Sequence, residues 1–125
     1  MTRLLLDTHV VLWQLGGDRD LSRAATEAIR SADVLYVSAV TFAEIGVKAA
    51  LGKVRVPESL VDTVVGTGAR LLPLEAEHGL AVAHLPMIHR DPFDRLLIAQ
   101  ARAEDLVIVT ADRMIPGYDV LTIAA

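Results

Sequence analysis

The sequence predicts an α/β fold in three layers, αβα, around a mainly parallel central sheet of about five strands. Short continuous apolar runs alternate along the chain with stretches of helical spacing, and that alternation calls for helices crossing over both faces of a sheet. The runs Leu4-Leu5-Leu6 and Leu106-Val107-Ile108-Val109 lack the in-out alternation of a half-exposed strand, so they read as buried on both faces. At 125 residues, 53% of them hydrophobic, the chain can bury one substantial core but is too short for two ordinary domains. Residues 1–125 are therefore expected to form a single domain.

The first strand, from Arg3, is closed by Asp7 and Thr8, and a short helix over about His9 to Leu15 should stop at Gly16-Gly17. Ser22 is a plausible N-cap for a second helix running to Ser31, followed by a strand over about Val34 to Val37. Ser38 then caps a helix over about Ala39 to Leu51, which ends near Gly52; a further helix can follow Pro57. Ala69 to Leu72 reads as a strand and Glu75 to His84 as a helix. Asp91 as N-cap and Pro92 at the first helical position start the next helix, a common pairing of residue types. It leads into the strand Leu106 to Val109, and Val120 to Ile123 makes a final edge strand.

Four carboxylates stand out against this frame. Asp7 and Asp112 each follow an apolar run, which puts both at strand carboxyl ends, the edge where ligands bind in open α/β sheets. Glu44 shares a helix face with Val40, Val47 and Leu51, and Asp94 with Leu97, Ile98 and Ala101. A carboxylate on an apolar stripe is costly unless paired, and several together call for a cation, from which we infer a divalent metal. Each acid also has a structural alternative. Asp94 suits the first turn of a helix, Glu44 can pair with Lys48, Asp112 suits a turn, and Asp7 can cap the helix after it. Taken together, these alternatives require four unrelated coincidences at one edge.

The segments Leu4-Leu5-Leu6-Asp7-Thr8-His9, Ser38-Ala39-Val40-Thr41-Phe42-Ala43-Glu44-Ile45, His89-Arg90-Asp91-Pro92-Phe93-Asp94-Arg95-Leu96-Leu97-Ile98-Ala99-Gln100-Ala101 and Val109-Thr110-Ala111-Asp112 resemble, in order and spacing, the PIN-domain nucleases. The resemblance covers essentially the whole chain. It is closest to the VapC-type toxins of bacterial toxin-antitoxin modules, in the subgroup with the Asp-Pro-Phe-Asp-Arg-Leu-Leu motif. It implies a PIN-like fold, with Asp7, Glu44, Asp94 and Asp112 on the acidic metal-binding and catalytic positions. Asp91 matches an acid typical of the subgroup. Met114-Ile115-Pro116 stands where an aromatic residue is common. The resemblance further implies a metal-dependent endoribonuclease acting on RNA phosphodiesters, held inactive by a cognate antitoxin protein, and a homodimer. The short apolar helix with Val10, Val11, Leu12, Trp13 and Leu15 could serve such an interface or be fully buried.

Composition narrows the chemistry. Zero cysteines exclude disulfides, thiolate metal sites and cysteine catalysis, leaving oxygen ligands and histidine. Oxygen ligands favour Mg²⁺ or Mn²⁺. No apolar run reaches the roughly 18 residues of a membrane span, and no signal peptide is legible, so the expected location is cytoplasmic, without a membrane partner. The net charge of −4 equals the four site acids, so a bound metal would remove much of the field opposing a phosphate. Lys48, Lys53, Arg55, Arg90, Arg95 and Arg113 are candidate backbone contacts, and Thr8, Ser38 and Thr110 candidate hydroxyl donors near the site. His9, His78, His84 and His89 show no metal-ligand spacing on one face. A phosphoacceptor receiver domain has a similar element order, but it needs a lysine after the last strands, and none occurs after Lys53. A domain keeping the fold for binding alone draws no positive support from the four acids.

Overall fold

The computed structural model describes residues 1–16 and 19–125. Five strands, β1 (Arg3–Leu6), β2 (Val34–Ser38), β3 (Arg70–Leu72), β4 (Val107–Thr110) and β5 (Thr122–Ala124), form one sheet in the order β3-β2-β1-β4-β5. Every pairing is parallel, with Leu5 opposite Tyr36 on one side and Ile108 on the other. Among the described residues six α-helices connect them: α1 (Thr8–Gln14), α2 (Arg23–Ser31), α3 (Ala39–Ala50), α4 (Leu60–Gly66), α5 (Ala76–Ala81) and α6 (Pro92–Glu104).

Side chains alternate along the central strands and so divide the core in two. Leu4, Leu6 and Val109 face α1, α2 and α4 through Val10, Val11, Ala25, Leu60 and Val64. Leu5 and Ile108 face the other way, onto Leu97, Ile98, Ile115 and Tyr118. Helix α3 reaches both sides, with Ile45 in one cluster and Val40 in the other. A strand buried on both faces must be apolar at every position, which is what the unbroken runs signalled.

The expected caps form. Ser22 Oγ accepts from the Ala25 amide at 3.0 Å, Ser38 Oγ from Val40 at 2.9 Å, and Asp91 Oδ1 from Phe93 at 2.8 Å. Gly16 follows α1 with φ +100°, a left-handed conformation suited to glycine; Gly17, the second half of the expected stop, lies outside the described residues. Two expectations need correcting. Of the stripe proposed around Glu44, only Val40 is buried: Val47 is 47% and Leu51 64% exposed, because the buried arc of α3 is Val40, Thr41, Glu44 and Ile45 and the last turn stays in solvent. The last strand begins at Thr122 rather than Val120, since a 3-10 turn over Ile115–Gly117 delays entry into the sheet.

Candidate functional site

Strands β1 and β4 are neighbours, and the winding of the chain reverses between them: β2 and β3 lie to one side of β1, β4 and β5 to the other. Adjacent strand ends splay at such a point and leave a crevice at their carboxyl edge. Asp7 and Asp112 follow the two strands that flank it.

Asp7 is 2% exposed. Its Oδ1 accepts the His9 amide at 2.8 Å and so caps α1, while its Oδ2 accepts the Thr110 hydroxyl at 2.5 Å. Thr110 Oγ1 in turn accepts the Asp112 amide at 2.9 Å, tying the two strand ends together. Asp112 Oδ1 accepts from Met114 at 2.7 Å and Ile115 at 3.2 Å, the turn role foreseen for it, and its Oδ2 remains toward the crevice, 3.0 Å from His89 Nε2. Burial works to raise the Asp112 pKa, but the Met114 and Ile115 amides and His89 together hold it below the usual carboxylate range.

Helices supply the other two acids. Asp94, in the first turn of α6, has Oδ2 2.9 Å from His89 Nε2. Burial, followed by the charges of Asp91 and Asp7, pushes its pKa from 3.8 up to about 7, with Glu44 adding to the rise and His89 opposing it. Glu44 is 2% exposed; its Oε2 meets Lys48 Nζ at 2.5 Å, and this contact raises the Lys48 pKa. Its Oε1 is buried without a hydrogen-bond partner among the described residues. A carboxylate oxygen taken from water without a partner costs on the order of 1–3 kcal/mol or more, a cost that a cation at this oxygen would offset. Carboxylate oxygens suit Mg²⁺ or Mn²⁺; the group whose atoms converge within 4.8 Å of one another is Asp94 and Asp112 with the His89 ring between them, and it does not include Asp7 or Glu44.

Residues 4–121 match the PIN domain as a family. The chain belongs to the PIN-domain family. This PIN domain is 33% identical over 125 residues to ribonuclease VapC22 of Mycobacterium tuberculosis, covering 94% of this chain and 93% of that one. It is thus a homologue of the VapC-type toxins. Among solved structures it is similar to VapBC2 of Rickettsia felis bound to a promoter DNA fragment, with TM-score 0.73 at 14% identity and 98% of each chain covered. It is also similar to DNA-bound VapBC of Salmonella typhimurium, with TM-score 0.66 at 19% identity, covering 99% of this chain and 98% of that one. At these identities the structures speak for the fold, the five-stranded parallel α/β architecture expected of a PIN domain.

Sequence reasoning passed over His89, which this PIN domain places between two of the acids. Its Nδ1 accepts the Asp91 amide at 3.1 Å, so Nε2 carries the ring hydrogen and donates it toward Asp94 and Asp112. His89 as arranged is a donor that orients two carboxylates, not a lone-pair ligand. A search for paired ligands on one helix face could not find it, because its partners come from a preceding loop, a helix start and a strand end.

Other candidates are reassigned. Arg95 is only 7% exposed and turns inward, where it donates to the carbonyls of Val82, Leu85, Pro86 and His89 and to the Tyr118 hydroxyl, so it does not contact a phosphate. Thr8 bonds Thr41 at 3.2 Å, and Ser38 donates to Gln100 Oε1 at 2.5 Å; both are buried and satisfied, leaving Thr110 as the hydroxyl that acts on a site acid. Lys53, Arg55, Arg90 and Arg113 are exposed. Of the remaining histidines, His78 is buried against Glu104, His84 is exposed, and His9 Nδ1 lies 3.8 Å from Asp7 Oδ1, a contact that raises its pKa.

The raised Asp94 pKa fixes a pH dependence. Because the folded state holds this proton more tightly than the unfolded chain, the stabilisation is complete below pH 3.8 and is lost as pH rises through about 7. The melting temperature of the metal-free PIN domain, measured in chelator between pH 5 and 8, should fall relative to that of an Asp94→Asn variant. Parallel curves would show that Asp94 is ionised throughout.

Proposed function

We propose that this PIN domain, a single nuclease unit over residues 1–125, is a Mg²⁺- or Mn²⁺-dependent endoribonuclease and the toxin half of a bacterial toxin-antitoxin pair. Within the VapC-type toxins it fits the subgroup with the Asp-Pro-Phe-Asp-Arg-Leu-Leu motif. The observation that carries the reading is a buried Glu44 Oε1 without a hydrogen-bond partner among the described residues, in an acidic cluster whose charges, added to burial, push Asp94 toward neutrality. Buried acids of this kind are unfavourable in isolation and favourable around a cation.

Asp7, Glu44, Asp94 and Asp112 would hold the ion. When bound, it supplies Lewis-acid charge to the phosphodiester and a water of lowered pKa for in-line attack. The chain's own groups set the stage. Thr110 fixes the rotamer of Asp7, the Met114 and Ile115 amides fix Asp112, and His89 holds the facing oxygens of Asp94 and Asp112. Asp91 acts by capping α6, accepting from Phe93 at 2.8 Å and Asp94 at 3.0 Å, which sets the first turn where Asp94 stands. Lys48 offsets one charge of the cluster through Glu44.

A cognate antitoxin and a second copy of the chain complete the proposed assembly in the cytoplasm. Similar folds have been solved as toxin-antitoxin complexes, one of them from Klebsiella pneumoniae, and Val47 on α3, Leu51 just past its end, and Val61 and Val65 on α4 offer exposed apolar surface for a partner. No helix among the described residues is long and apolar enough to cross a membrane.

The test is to incubate antitoxin-free protein with total cellular RNA, with and without Mg²⁺ or Mn²⁺, and to map the product ends. Cleavage is expected only with metal, reduced on the order of a hundredfold or more in Asp7→Asn. Cleavage that survives both chelation and Asp7→Asn would refute the reading.

A further inference from the structure

A cavity of about 260 Å³ opens beside the acids, lined by Asp7, His9, Trp13, Ala111 and Asp112. The phosphodiester chemistry uses its two carboxylates and leaves its two aromatic walls without a task. His9 and Trp13 stand four residues apart on α1, hence on one helix face, with ring centroids 5.9 Å apart and planes inclined by 42°. Trp13 is half-buried, one part packed against the core beneath α1, and the Arg19 guanidinium lies 4.1 Å from its ring centroid. The indole is therefore packed from below and covered on one ring face by a cation that does not itself line the cavity, so the surface Trp13 turns to the cavity is ordered before any ligand arrives and little ordering remains to oppose binding.

The cavity lies below the roughly 300–1,000 Å³ of sites that take drug-sized ligands, which points to a small planar guest. Aromatic rings beside a cation form the usual platform for an unpaired base, since every base has a π face and its neighbouring phosphate answers the guanidinium. A base enters such a cavity only when unstacked, which selects single-stranded RNA over a duplex.

We propose that this cavity is a nucleobase subsite, in which one unpaired base of the RNA next to the scissile phosphate stacks on Trp13, with His9 beside it and Arg19 meeting an adjacent phosphate. The proposal rests on the ribonuclease reading and adds to it a cause for substrate positioning. Trp13 touches the substrate away from the reacting atoms, so its loss should act on KM more than on kcat.

Trp13 is the only tryptophan in the chain, so its emission reports the subsite directly. Mg²⁺-loaded protein would be mixed rapidly with a short, labelled, single-stranded oligoribonucleotide of random sequence, following anisotropy for binding and tryptophan emission for stacking. Emission should fall in step with binding, and a ribose-phosphate strand lacking bases should bind without that fall. Trp13→Leu, which keeps apolar packing, should raise KM roughly ten- to a hundredfold, with Trp13→Phe restoring most of the loss. RNA binding with unchanged emission, or Trp13→Leu with wild-type KM, overturns the subsite and leaves the nuclease standing. RNA that is neither bound nor cut overturns both.

Discussion

Asp94→Asn is expected to abolish RNA cleavage while making the metal-free protein more stable. The two effects have one cause. Asp94 is driven up to about pKa 7 by burial and by the charges of Asp91, Asp7 and Glu44, so above neutral pH the folded protein carries an ionised group that its surroundings resist. Asparagine removes the charge and keeps an oxygen to accept the His89 Nε2 hydrogen, a contact now made at 2.9 Å. With allowance for solvent reaching a half-buried side chain, the gain at pH 8 is on the order of 1 to 2 kcal/mol, a rise of several degrees in Tm. Cleavage should fall on the order of a hundredfold or more, since the proposed metal site loses one of its charges. Calorimetry in chelator alongside a cleavage assay would check both. A variant less stable than wild type at pH 8 would mean that the His89 contact outweighs the repulsion.

Arg95→Met should be the most damaging single change to stability. The guanidinium has no carboxylate partner among its hydrogen bonds; Nη1 donates to Pro86 O at 2.9 Å and His89 O at 3.2 Å, and Nη2 to Val82 O at 3.1 Å and Leu85 O at 3.2 Å. Nη1 also meets the Tyr118 hydroxyl at 3.3 Å, which accepts the His89 amide at 2.7 Å. Methionine fills a similar volume but orphans several carbonyls at once, a cost of about 3 to 5 kcal/mol. Urea unfolding should show a lower midpoint with unchanged slope. Because the clasp holds the loop that presents His89 to Asp94 and Asp112, metal affinity measured by calorimetry should fall about 10- to 100-fold in the folded fraction. Arg95→Lys should not rescue it, since an ammonium lacks the planar fork that reaches four carbonyls. A Lys variant equal to wild type would reduce the clasp to a matter of charge.

The acids were legible because each combined a polar residue with a place that normally excludes one. Asp7 and Asp112 closed apolar runs, and Asp94 sat on a stripe whose other members, Leu97, Ile98 and Ala101, are all buried. The strand order was less accessible, since alternation fixes neither which strand is central nor where the winding reverses. Glu44 is buried as expected but among other neighbours, for the stripe ran on to Val47 and Leu51 beyond the reach of the core. Arg95 escaped because its partners are carbonyls gathered from residues 82–89, which spacing rules cannot see, and His89 because its two carboxylate partners come from separate elements, Asp94 at a helix start and Asp112 past a strand end. Arg95, inside an otherwise apolar helix, was the available hint of a satisfied buried cation.

The hydrogen bond from Thr110 to Asp7 spans 103 residues, and it stands for the whole arrangement: the acids come from positions 7, 44, 94 and 112 of the chain. A ribosome delivers them in that order, and β1 cannot acquire its second neighbour until β4 has emerged. Contacts of such long sequence separation form late and slowly. The topology therefore acts as a timer: the four acids cannot meet until nearly the whole chain has left the ribosome, so a nascent chain lacks the cluster until its synthesis is almost done.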